Sequence, residues 1–376
     1  MEDKSVASDL SAFHIDLEQL KRNWRWLDAK SAPHCRTASV VKANAYGHGM
    51  FATTQSLIDA GCNIFCVATM DEAIQLRRFL DSTDTDHSKP EIICFDGLQA
   101  YELDSYYQYL IIPALKQVSE IETARDYARK INRIFPVWLQ LDTGMNRLGI
   151  SAAELEIWLD STIASYSGAL DIKAVMSHLS CSDMPSHHAN EHHRIRFLEM
   201  SKYTPSLPLS LSASHGILLN NAYHFDITRP GIALYGYQDS PNADFACQPI
   251  LQWIAPILQI RSIKKGEQVG YGADFTADKQ MRIATIGAGY ADGYRRALQA
   301  CGKINLGGNI CKPVGRISMD SFVIDVTDIS ETDLNKTSQV CLLGTHYSAS
   351  DMAFDLSTIS YEVLTSLGTR PKRVYS

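Results

Sequence analysis

The residues from which this chain could do chemistry stand where apolar runs give way to loose loops. In Thr37 to Gly49, TASVVKANAYGHG, the β-branched pair Val40 and Val41 leads into Lys42, and the following residues open into a turn. The pattern predicts a buried strand ending in a lysine. An ammonium there must reach water or give up its charge, and the lowered pKa that burial imposes suits a lysine that condenses with a carbonyl compound. The other reading is a lysine snorkelling out of the strand end. In VGYGADFTA, Tyr271 lies between Gly270 and Gly272, a phenol on an exposed loop. Its ordinary pKa of about 10 must be lowered by nearby positive charge if it is to act as a base near neutrality. His187, His188, His192 and His193 put His188 and His192 at i,i+4, a spacing that could bind metal on a helix. The run reads HHANEHH rather than HExxH, and a polar helix face is the simpler reading, so no metal is expected.

The elements that must position these residues alternate in type. Short apolar runs occur at Ala38 to Val41, Ile64 to Val67, Ile92 to Phe95, Leu110 to Ile112, Val137 to Leu141, Ile172 to Met176, Leu207 to Leu211, and Ile227 to Ile232 with an extension to Tyr235. Helical signals lie between them. Thr69 with Glu72 is a capping box ahead of Ala73, Leu76 and Leu80, Ser151 with Glu154 repeats it, and Gly61 is placed to end the helix after His48. Eight strands in this rhythm predict an α/β barrel, TIM-like, of eight parallel strands.

Chemistry in such barrels gathers at the C-terminal strand ends. Lys42 closes the first strand, Gln140 to Arg147 follow the fifth, His178 the sixth, Ser214 the seventh, and Arg229, Gly231 and Ile232 lie at the eighth. A phosphate site after strands seven and eight is built from backbone N–H groups and a hydroxyl, which Ser214, Gly231 and Ile232 could supply. A tight turn is the alternative for Gly231, as packing is for His178 and a surface ion pair for Arg229.

After Tyr235 the rhythm changes. From Ile250 onward, LQWIAPILQIRSI, QMRIATI, NICKPVGRI, SFVIDV and QVCLLG are closely spaced extended runs, which predict a mostly β C-terminal domain. The expected division is a barrel over 11–240 and a β-strand domain over 241–376, with residues 1–10 as a segment that could pack against the latter. Net charge is −7, from 35 basic and 42 acidic residues, so the chain has no basic footprint for nucleic acid or an anionic membrane surface. Nine scattered cysteines without a CxxC pair suggest neither a disulfide framework nor a zinc site. No apolar run has the length of a membrane span, and MEDKSVASDLSAF lacks a signal-peptide core, so a cytoplasmic location is expected.

VVKANAYGHG resembles the pyridoxal-phosphate (PLP) attachment motif of bacterial alanine racemases, PLP enzymes of fold type III, with Lys42 at the position of the cofactor lysine. The resemblance continues in order along nearly the whole chain. It implies that Arg229, in TRPGIALYG, donates to the pyridine nitrogen and leaves it neutral, whereas a carboxylate there would keep it protonated. It implies that His178 stacks on the cofactor ring and bonds Arg229, and that Arg147 contacts the phenolic oxygen and the substrate carboxylate. Tyr46, Tyr361, Ser214, Gly231 and Ile232 would hold the phosphate. Asp183 and Arg296 would line the access path, and Met319 and Asp320, in GRISMD, would reach the substrate carboxylate region from a partner subunit.

The implied activity is interconversion of L- and D-alanine by two bases, Lys42 for the D-enantiomer and Tyr271 of a neighbouring chain for the L-enantiomer. A cytoplasmic homodimer supplying D-alanine for peptidoglycan follows. A racemase of serine, lysine or several amino acids on the same scaffold is the nearest alternative, and a non-catalytic PLP-carrying barrel protein a more distant one. One departure from the family pattern stands out. Many members carry a carboxylated lysine seven residues before the arginine, where this chain has Gln140, a neutral amide able to bond Arg147 but without negative charge. No carbamylated lysine is expected there.

Overall fold

The computed structural model describes residues 11–83, 89–162, 168–240 and 245–376. The expected packing of residues 1–10 falls outside them. Two compact units emerge: one holds 20–45 and 50–247, the other 11–19, 46–49 and 248–376.

In the first unit, Ser39–Val40, Ile64–Val67, Glu91–Cys94, Ile111–Leu115, Phe135–Gln140, Leu170–Met176 and Leu209–Ser210 form one seven-stranded parallel sheet in chain order. Ile64–Val67 and Ile111–Leu115 are buried at every residue, which is why these strands read as unbroken apolar runs. An eighth strand closes the curl. Ile227–Thr228 pairs in parallel with Arg36–Thr37, with Ala38 N donating to Thr228 O and Val40 N to Pro230 O, while Arg229 N donates to Ser212 O on the seventh-strand side. The sheet therefore bonds back to its own first strand as a barrel.

The expected extension of the eighth strand to Tyr235 is corrected. Pro230 offers no N–H, and Ile232–Tyr235 is instead a short 3₁₀ turn. The outer helices follow their signals. Thr69 and Glu72 form a complete capping box on Met70–Ser82, whose buried face includes Ala73, Leu76 and Leu80, and Ser151 and Glu154 exchange the same bonds ahead of Ala152–Thr162. Gly61, at φ +115°, ends Met50–Ala60.

The second unit is a nine-stranded sheet centred on the 13-residue strand Leu251–Ile263. That strand pairs antiparallel with Met281–Ile286, Gln339–Leu343 and Ala12–Ile15, and bulges between Trp253 and Ile254 and between Ile257 and Gln259 let it serve several neighbours. The first strand among the described residues thus belongs to this sheet and not to the barrel. It also pairs in parallel with Lys372–Tyr375, so strands more than 350 residues apart lie side by side in this sheet. Trp253 anchors the core, edge-on to Phe13 at 5.1 Å and to Tyr294 at 5.8 Å.

Candidate active site

Lys42 ends the first barrel strand as its sequence context requires, half-buried at the start of an unusual turn. Ala43, Asn44, Ala45 and Tyr46 all have φ between 52° and 54°, a left-handed helical turn made without glycine. Each such residue costs about 1–2 kcal/mol, less for Asn, so the surroundings must hold the turn. Three bonds do so: Ala45 N donates to Val41 O at 2.8 Å, Met50 N to Asn44 Oδ1 at 2.9 Å, and Ala43 N to Glu72 Oε1 at 2.6 Å. Burial, and then the charge of Arg147, push the Lys42 ammonium below the ordinary lysine range, against opposing pulls from Glu72 and Cys66.

Around Lys42 the barrel gathers three more nitrogen-bearing side chains. Arg229 is buried in the barrel interior at 3% exposure, and every bond found for its guanidinium goes to a neutral acceptor: Ser177 O at 2.7 Å, Leu211 O at 3.5 Å and the Ser210 hydroxyl. Burial draws its pKa down to about 10, so it remains a cation at neutral pH. His178 is pushed down to about 3, by burial first and then by Arg229, Arg147, Lys42 and His193 in turn. Its ring is therefore neutral at physiological pH. Arg147 is exposed on the loop after Phe135–Gln140, where Asp142 Oδ1 accepts the N–H groups of Gly144 and Asn146. Gln140, 8% exposed, donates to Leu148 O at 3.3 Å, one residue beyond Arg147.

Ser214 meets the backbone on either side of Ile232. The Ser214 hydroxyl accepts from Gly231 N at 2.9 Å and from Ala233 N at 3.2 Å, so two backbone donors and a hydroxyl converge on one buried point. Asp183 is exposed on the loop after His178 and exerts a charge effect on His215.

The histidine run resolves into structural roles. His187 caps Ala189 N and stacks on His188, while buried His193 lies between two loops, with Nδ1 3.3 Å from Thr143 Oγ1 and Nε2 3.2 Å from Ser180 Oγ. Thr143 in turn bonds Ser177, whose carbonyl receives Arg229. Among the described residues no group of three His, Cys, Asp or Glu side chains is placed to hold a metal ion.

The second unit holds the remaining candidates. Tyr46 and Tyr361 approach with ring centroids 6.0 Å apart. The loop containing Tyr46 is clasped by the last strand: Arg373 Nε donates to Gly47 O at 2.8 Å and Tyr375 Oη to His48 O at 3.2 Å. Tyr271 sits at the tip between the paired strands Gln268–Val269 and Phe275–Thr276, 72% exposed, with Gly270 and Gly272 at φ +78° and +74°. It lines a cleft with Tyr290, Arg296, Arg316 and Ser318, and Arg316 is paired with Asp274. Tyr271 and Arg296 thus share one cleft.

Met319 is 51% exposed, and Asp320 pairs with Arg370 at 2.6 Å. Arg370 also reaches buried Asp292 at 2.9 Å and the Met319 carbonyl at 3.4 Å, so it orders the Met319 loop. Glu72, Arg370, Arg373 and Tyr375 carry no motif of their own, and only Glu72 had a local signal, its capping box.

The chain is similar to known proteins along nearly its whole length. The family description "Alanine racemase, N-terminal domain" matches residues 15–239 and "Alanine racemase, C-terminal domain" residues 250–375. The chain is 37% identical over 374 residues to an alanine racemase of Brucella suis, covering 96% of this chain and 92% of that one. It is 39% identical over 361 residues to a catabolic alanine racemase of Agrobacterium fabrum, covering 96% and 91%. A crystal structure of alanine racemase from Bartonella henselae with covalently bound pyridoxal phosphate superposes with a TM-score of 0.89 at 34% identity, covering 98% of this chain and 99% of that one. With both halves matched in order, the chain belongs to the alanine racemase family.

Proposed function

We propose that this protein interconverts L-alanine and D-alanine with pyridoxal phosphate as cofactor. The single observation that carries the reading is the grouping of half-buried Lys42, on its left-handed turn, with Arg229 and neutral His178 in one barrel. The residues fit the cofactor. Ser214, Gly231 and Ile232, with Tyr46 and Tyr361, would hold its phosphate, and the Ser214 hydroxyl, fixed by the N–H groups of Gly231 and Ala233, has its own O–H to give to a phosphate oxygen. Arg229 has no carboxylate among its bonds, and its guanidinium would give N–H to the pyridine nitrogen, which a donor of this kind would leave unprotonated.

When bound, the cofactor withdraws electrons from the amino acid and acidifies its Cα–H. Lys42 Nζ, its pKa already depressed, exchanges the proton on the D side of Cα. Tyr271 Oη does so on the L side, Arg147 holds the substrate carboxylate, and the Met319–Asp320 loop of a second copy of the chain reaches the carboxylate region. His178 would lie against the cofactor ring without adding charge, and Asp183 and Arg296 would flank the access path. Tyr271 is supplied by a second copy of the chain, which makes the working unit a symmetric homodimer. Its exposure at the tip of a hairpin supports that assignment. The cytoplasmic setting and the supply of D-alanine for peptidoglycan are part of the same family-based proposal.

The test is circular dichroism of L-alanine with PLP-loaded enzyme, repeated for mixed dimers. Decay of the alanine signal to zero is expected. Lys42→Ala and Tyr271→Phe dimers, each inactive in racemisation, should recover about a quarter of wild-type activity on subunit exchange, because half the dimers are mixed and each has one intact site. No recovery on proven exchange would place Tyr271 in its own subunit's site, and an unchanged alanine signal with wild type would reject the activity.

A further inference from the structure

Glu72 does two jobs with one carboxylate. Its Oε2 accepts the N–H groups of Ala68 at 2.8 Å and Thr69 at 3.3 Å, which caps the helix Met70–Ser82. Its Oε1 leaves the helix and accepts Ala43 N at 2.6 Å, the first residue of the left-handed turn after Lys42. A helix cap needs only the first of these. The second joins an outer helix to a strained segment whose other bonds are local, one residue from the candidate cofactor lysine.

We propose that Glu72 is a positioning residue for Lys42: it clamps the left-handed turn through Ala43 and so brings a carboxylate to the segment that carries the lysine. The inference rests on the reading of Lys42 as the cofactor lysine, but its geometry does not. The charged and titratable groups acting on Lys42 are Arg147 from the loop after the fifth barrel strand, Cys66 from the second strand and Glu72 from the helix; His178, after the sixth strand, feels Lys42 in turn. Arg147 opposes the ammonium and Glu72 favours it. Burial pushes the Cys66 thiol up to about 12, so it stays neutral; removing the Glu72 charge therefore leaves burial and Arg147 without that carboxylate against them, and frees Ala43 N.

The isosteric variant Glu72→Gln separates the two jobs, because an amide has one accepting oxygen and cannot serve both Ala43 and the cap. Thr69→Ala is the matched control. It removes the hydroxyl that accepts Glu72 N at 3.3 Å and weakens the same helix start, yet leaves the carboxylate on Ala43.

Two readouts are taken. In cofactor-free protein, acetic anhydride labelling of Lys42 across pH, read by mass spectrometry of its peptide, gives the titration of that amine. Equilibrium dialysis gives PLP retention. Glu72→Gln should lower the labelling midpoint by roughly half to one pH unit. It should also weaken PLP retention about tenfold, the size of one charge-assisted hydrogen bond. Thr69→Ala should match wild type in both. Equal effects of the two variants, or a Glu72→Gln labelling curve identical to wild type, would reduce Glu72 to a helix cap and overturn the proposal. A shifted Lys42 titration in a protein that retains no PLP even as wild type would uphold the clamp and sink the cofactor reading.

Discussion

At Arg229, His178 and Lys42 the barrel buries nitrogen-bearing groups, and that burial, followed at His178 and Lys42 by neighbouring positive charge, sets their protonation. His178 shows the consequence for stability. Its folded pKa of about 3 lies below the ordinary 6.5, so between those values the unfolded chain binds a proton that the folded chain refuses. Stability is therefore intact above pH 6.5 and falls as pH drops through that window, by at most about 1.4 kcal/mol per pH unit from this one group. His178→Gln should flatten the fall between pH 6.5 and 5, measured by urea unfolding of both proteins at each pH. Parallel curves would show that His178 already charges in the folded state. The sequence made Lys42, His178 and Arg229 legible because each ends a strand in recognisable residues. It did not reveal that Gln140 spends its amide on the Leu148 carbonyl, nor the Asp292–Arg370–Asp320 bridge, because both depend on contacts outside any local pattern.

The elements were legible to the extent that one face or both were buried. Ile64–Val67 coincides with its apolar run, and the capping box at Thr69 forms as read, because local rules alone decide both. The run through Tyr235 stops at Thr228, since Pro230 breaks the ladder, and Ala12–Ile15 pairs with strands more than 200 residues away in sequence. Such pairing is a tertiary choice that periodicity does not encode. The clasp on the Tyr46–Gly49 loop belongs to the same class and offers a test. A Cβ on Gly49 would overlap the Tyr375 hydroxyl, and φ there is +102°. Gly49→Ala should cost on the order of 2 kcal/mol in chemical denaturation. Adding Tyr375→Phe should return part of it by removing the overlapped oxygen. An unchanged midpoint for Gly49→Ala would mean that the last strand does not grip the loop.

For the whole molecule, the two-part architecture has a functional reading because a barrel core needs no second sheet. The β unit presents Tyr271, Met319 and Tyr290 as exposed side chains, an arrangement that suits residues supplied to a partner. Membership of the alanine racemase family, established over both parts, fits that division, and the collinear motifs made it legible before any coordinate was known. The most direct test of the two-base account is Cα hydrogen exchange in D2O, followed by NMR, for L- and D-alanine with wild type and Tyr271→Phe. The account predicts exchange of both enantiomers by wild type, and exchange from D-alanine alone by the variant, because Lys42 still serves that face. Equal exchange of both enantiomers by Tyr271→Phe, or loss of the D side with the L side retained, would contradict it.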